Sequence, residues 1–204
     1  MNGNILLRQQ VAGETIRILG NMQQTRYQHN IYIDETAGTY FVDCSGFVSY
    51  ILERVAPNHL SLISFDPPET RPLAQDYYNF FSSLPTETTN GWRQILTLAH
   101  ARSGDLVAWA LAPPNEDTGH VFVVAADPVQ ISEDTYSVEA YDASDILHYD
   151  DSRGPGKRFQ TGVGSGTFHI QISGGGSPIA FQFGPGDPVV PNSIAIGRCE
   201  GFGV

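Results

Sequence analysis

The chain has 204 residues, enough for one domain with a buried core, and its twenty-two acidic against eleven basic residues give a formal net charge of -11. Lys157 is the single lysine and the arginines are scattered, so the clustered positive charge that nucleic acid or an anionic membrane requires is missing and neither is expected as a partner. Cys44 and Cys199 are too few for a disulfide scaffold and lack zinc spacing, and no apolar run is long enough to predict a signal peptide or direct membrane insertion.

Ile5, Leu6, Ile16, Leu19 and Met22 recur at loosely helical spacing around Gly13, which predicts one broken or two short helices over residues 4–24. Residues 27–42 are polar and contain Gly38, and read as an ordered loop. Asp43 is the expected N-cap of a helix whose apolar face runs through Phe47, Val48, Ile51, Leu52 and Val55 to a stop at Pro57. An inserted helical segment is expected over residues 58–102, with one helix around Asp76 to Phe81 and another from Trp92 to His100. Its aromatic residues read mainly as core, with Trp92 a candidate wall of a substrate groove.

Beyond Gly104 the pattern changes to short β-rich runs, at 105–111, 120–126, 136–142, 167–173, 179–183 and 194–198. Helices first and strands second predict a single α+β domain over residues 1–204, with helices against an antiparallel sheet of about five or six strands and a β-rich C-terminal extension from 146. The glycine-rich stretch from Ser144 to Gly166 is too long for a hairpin turn. Within it His148, Asp151 and Arg153 read as a solvated loop first and as substrate-binding residues second. His29, His59 and His100 are expected at the surface.

Cys44 falls on the first turn of its helix, where unpaired amides and the macrodipole favour a thiolate with a pKa below the free value of about 8.5. A nucleophilic thiol needs a base and a group that orients the base. His120 opens one strand, and a hairpin register in which Ala126 faces Tyr136 sets it opposite Asp142, while Glu139 has the wrong parity. A slip of one residue would invert that choice. No metal motif, phosphate loop or Gly-x-Ser-x-Gly elbow is present, so no cofactor is expected.

Asp43-Cys44-Ser45-Gly46-Phe47 opening a helix, Gly104-Asp105-Leu106-Val107 before a strand, Gly119-His120-Val121 opening the next and Asp142 on the strand after resemble the NlpC-type bacterial cell-wall cysteine peptidases of the papain-like superfamily. The resemblance covers about residues 27–145 and implies a papain-like fold with Cys44 as nucleophile, His120 as base and Asp142 as orienter. It also implies a tyrosine upstream of the cysteine at the oxyanion: Tyr32 has the spacing, Tyr27 and Tyr40 are alternatives, and Ser45 is a further positioning candidate. The implied activity is hydrolysis of amide bonds, with peptides or peptidoglycan stem-peptide fragments as substrate. A deamidase, thioesterase or acyltransferase with the same residues and an inert binding module of the same fold are the alternatives. The long Cys44 to His120 separation departs from the family's compact pattern.

Overall fold

The computed structural model describes residues 6–112 and 117–202. Ile5, counted in the first expected helix, lies outside them. The described residues form an α+β fold with four α-helices: α1 (Leu7–Asn21), α2 (Cys44–Val55), α3 (Pro57–Leu60) and α4 (Ala74–Ser83). Helix α1 is unbroken, because Gly13 lies on its exposed side while Val11, Ala12, Thr15 and Ile18 face the core.

The segment expected as a loop before Cys44 is a small sheet of β1 (Gln24–Tyr27), β2 (Tyr32–Asp34) and β3 (Thr39–Val42), in which β3 pairs with β1 in parallel and β2 antiparallel. Strands this short carry too few alternations for the pattern to register. The main sheet has nine strands, not five or six: β4 (Trp92–Gln94), β5 (Leu106–Ala110), β6 (Gly119–Val124), β7 (Val129–Gln130), β8 (Thr135–Ser144), β9 (Gly162–Ile172), β10 (Pro178–Gln182), β11 (Val190–Pro191) and β12 (Ile194–Cys199). Its order is β11-β10-β9-β8-β6-β5-β12-β4, with β7 paired to β8, and every pairing is antiparallel.

Two expectations change here. The run from Trp92 to His100 is β4 followed by a 3₁₀ turn, Leu98–His100, so the segment 58–102 holds one full helix, α4. The C-terminal region is no appendage, since β9 pairs with β8 along ten positions from Thr135 to Ser144 and β12 lies between β5 and β4.

Helices α1, α2 and α4 cover one face, where Phe47, Val48, Ile51 and Leu52 pack against Leu106, Ala108, Val121 and Val123. The other face holds Trp109, Phe122, Val138, Phe168 and Phe181. Trp109 on β5 stacks on Phe181 of β10 at 4.0 Å. Across four strand spacings of a flat sheet they would be about 19 Å apart, so the sheet curls round this aromatic core.

Candidate functional site

Helix α2 starts where Asp43 caps it: the Asp43 Oδ1 accepts the Gly46 amide at 2.7 Å, and the Asp43 backbone carbonyl accepts the Phe47 amide. The same carboxylate holds Arg71 at 2.6 Å and His29 at 3.0 Å on Oδ2. Ser45 donates to Asp43 and accepts from Arg71, so its hydroxyl is committed to the cap and does not face a substrate. Sequence reasoning missed Arg71, which reaches the cap from a loop 28 positions away with no local motif to mark it.

Cys44 therefore stands at the helix start as expected, but the thiolate expectation reverses. Cys44 is buried, 4% exposed as a residue. Burial, followed by the Asp43, Asp117 and Asp142 carboxylates, pushes the thiol up, against the amide of Val121 that donates to the sulfur. Asp43 absorbs part of the helix-end field that would otherwise have stabilised a thiolate.

His120 and Asp142 are brought together. The observed register of β6 and β8 places Val123 opposite Tyr141, two residues from the expected alignment, so the pair meets diagonally. A two-residue shift preserves parity: Asp142 is fully buried on the His120 side while Glu139 is exposed. His120 Nε2 lies 2.8 Å from Asp142 Oδ2.

Asp142 is also the centre of a cluster that the loop reading missed. His148 Nε2 donates to the same Oδ2 at 2.8 Å, and Arg153 Nη2 lies 2.9 Å from Oδ1 as an ion pair without the alignment of a hydrogen bond. Arg153 also forks onto Asp151 through Nε and Nη2. His148 and Arg153 are buried, at 4% and 2% exposure, so neither they nor Asp151, locked onto Arg153, form a substrate surface. Burial alone would raise the Asp142 carboxyl; Arg153, His148 and His120 outweigh it and hold it well below the usual range. The glycines of β9 make room: a Cβ on Gly164 would lie 2.7 Å from Arg153 Nε, and one on Gly166 would lie 2.7 Å from His148 Cβ.

His120, Asp142 and His148 present ligand atoms within 4.8 Å of one another, a set that could hold a cation. Here both imidazoles spend Nε2 on one oxygen, and Arg153 already supplies the positive charge.

Val121, whose amide favours the thiolate of Cys44, follows His120 directly in β6. Cys44 packs with the helix-side core, whereas the His120 ring packs with Trp109, Phe122 and Phe168. Among the described residues no hydrogen bond joins Cys44 to His120. Gly119 sets this strand start, with φ at +125° and a would-be Cβ 2.0 Å from the Trp109 carbonyl oxygen, which only glycine tolerates.

Of the three tyrosine candidates, Tyr27 is the one whose phenol feels the charge of a Cys44 thiolate. Its phenol is pushed up by burial, then by Cys44, Asp43, Asp117 and Asp145. Tyr32 is 54% exposed against Phe41, and Tyr40 is buried beside Tyr50 with an unpartnered hydroxyl. Trp92 is fully buried among Phe80, Phe81 and His59, so it is core and no groove wall. His59, expected at the surface, is buried and bonds the Glu200 carbonyl.

No protein-family model and no solved structure matches the chain. It is similar to an uncharacterized protein of Acanthamoeba polyphaga mimivirus, 26% identical over 188 aligned residues that cover 78% of this chain and 79% of that protein.

Proposed function

We propose that the protein is a thiol-dependent hydrolase of amide or related acyl bonds with a papain-like arrangement, in which Cys44 attacks, His120 moves the proton and Asp142 orients the ring. The observation that carries this reading is the 2.8 Å contact from His120 Nε2 to a buried Asp142 that Arg153 and His148 fix in place. With Nε2–H donating to Asp142, the lone pair of the neutral ring is on Nδ1, the nitrogen left to act as base.

The resting thiol is protonated, so the reaction begins with proton transfer from sulfur to His120 Nδ1 as the sulfur attacks the carbonyl carbon. That step requires the ring to close on the sulfur, a tightening that catalytic pairs undergo when substrate binds. The N–H of Cys44, with no intrahelical acceptor at the helix start, and the Tyr27 hydroxyl would then donate to the oxyanion. His120 then protonates the leaving group and activates water to release the acyl group from sulfur. Peptidoglycan stem peptides are the first substrates to try, on the resemblance of the Asp43 to Phe47, Gly104 to Val107 and Gly119 to Val121 landmarks to the NlpC-type peptidases.

The enclosed sulfur favours one rival, an inert binding module of the same fold. Mass spectrometry of stem-peptide fragments, other peptide amides and acyl thioesters incubated with the protein separates the two. The hydrolase reading expects cleavage of at least one class by the wild type and none by Cys44→Ala or His120→Ala. Intact substrates throughout, or cleavage that survives Cys44→Ala, would refute it.

A further inference from the structure

Arg93 on β4 and Arg198 on β12 are direct cross-strand partners, so their side chains leave the sheet on the same side. Like charges set opposite each other in this way repel, and an anion that answers both relieves the repulsion. Arg102 and His100 join the two arginines in lining a pocket of about 440 Å³. No aspartate or glutamate is among its described lining residues. These arginines lie far apart in the sequence and are gathered because β12 inserts between β5 and β4.

Each arginine has a carboxylate, but none of the three carboxylates belongs to the lining. Asp105 takes Arg198 Nε at 2.7 Å and Nη2 at 2.8 Å, Glu200 takes Arg93 Nε at 2.9 Å, and Asp127 stands 3.5 Å from Arg102 Nε. Both Nη atoms of Arg93, Nη2 of Arg102 and Nη1 of Arg198 have no hydrogen-bond partner among the described residues. Arg198 is fixed in the wall, since it is 8% exposed and its Nη2 also donates to the His100 carbonyl at 2.8 Å. A buried, oriented guanidinium with an unspent nitrogen is a ready partner for an oxyanion.

Three guanidiniums on one pocket suit a group that carries oxygens on three sides, as a phosphoryl does, whereas a planar carboxylate is satisfied by a single fork. The size of the pocket and the net charge of -11 on the chain select a small ligand and disfavour a polyanion. We propose that this pocket binds a small phosphate, free or as a monoester, held by Arg93, Arg102 and Arg198. It shares no residue with Cys44, His120 and Asp142, so the proposal stands whether or not the protein is a hydrolase.

The full chain is titrated with inorganic phosphate, with phenyl phosphate and with acetate, at matched ionic strength and about pH 8, where the phosphates are largely dianions. The amide NMR signals of Gln94, Thr97 and Arg198 are followed. One or both phosphates are expected to shift them saturably and at least about tenfold more tightly than acetate. The double variant Arg93→Gln, Arg102→Gln is expected to erase that preference. Leu96→Glu, which sets a carboxylate at an exposed position of the lining and leaves the arginines in place, is expected to do the same. Equal response to phosphates and acetate, or a preference that survives either variant, overturns the proposal. Tighter binding of phenyl phosphate assigns the site to a monoester and tighter binding of inorganic phosphate to the free ion, and both support it.

Discussion

Asp142 is the residue on which the buried polar cluster turns, since two imidazoles and a guanidinium share its two oxygens inside the aromatic core. Removing one member of a buried ion pair leaves the other charge without compensation, which costs about 3–5 kcal/mol. Arg153→Met is therefore expected to lower unfolding stability by that amount in urea titrations, and the Asp142→Asn, Arg153→Met double variant by less than the sum of the singles. Additive losses would mean that the two do not act as a pair. The residues of this site were unevenly legible. Asp142 was found because strand parity is robust to a two-residue shift, and His120 because a glycine step precedes it. His148 and Arg153 were named only as possible substrate contacts, because nothing in a polar loop sequence reveals that it folds back under a sheet and buries its charges on Asp142.

Two elements carry the site, the start of α2 and the glycine stripe of β9. Asp43→Ala removes the cap and the partner of Arg71, and is expected to cost at least about 1 kcal/mol more than Asp43→Asn, which keeps an oxygen for the Gly46 amide. Equal losses in thermal melts would show the cap to be unimportant. Gly164→Ala drives a methyl to 2.7 Å from Arg153 Nε, and overpacking of this kind costs about 1–3 kcal/mol; an unchanged melting temperature would contradict the close approach. At this scale the sequence reading located the helix of Cys44 and the long strands, where alternation and an apolar face span several residues, except that it took Gly162–Gly166, the first half of β9, for part of the glycine-rich loop. It missed β1, β2, β3, β4, β7 and β11, each of two to four residues, and took Trp92–Gln94 for helix because an isolated aromatic pattern has no period.

For the molecule as a whole, Asp142 and the buried thiols bracket the pH range of stability, while Asp105, whose carboxyl burial raises, begins to give up its contribution above about pH 3.9. Asp142 is held below its unfolded value of about 3.9, so its contribution is complete above that value and is lost as pH falls towards the folded pKa. Burial pushes Cys44, Cys199 and Tyr77 above their unfolded values, so their contribution is complete below about pH 8.5 and is lost as pH rises and the unfolded chain gives up protons that the folded one keeps. Urea midpoints are expected to be flat between about pH 5 and 8 and to fall on both sides; a rise above pH 9 would contradict the buried thiols. The central claim is that Cys44 becomes a nucleophile only through His120. Native protein exposed to p-nitrophenyl acetate, quenched and read by peptide mass spectrometry, tests it most directly. The account predicts an acetyl group on Cys44 in the wild type and its near-complete loss in His120→Ala. Acetylation of Cys44 at the same rate in both proteins, or none in either, would contradict it.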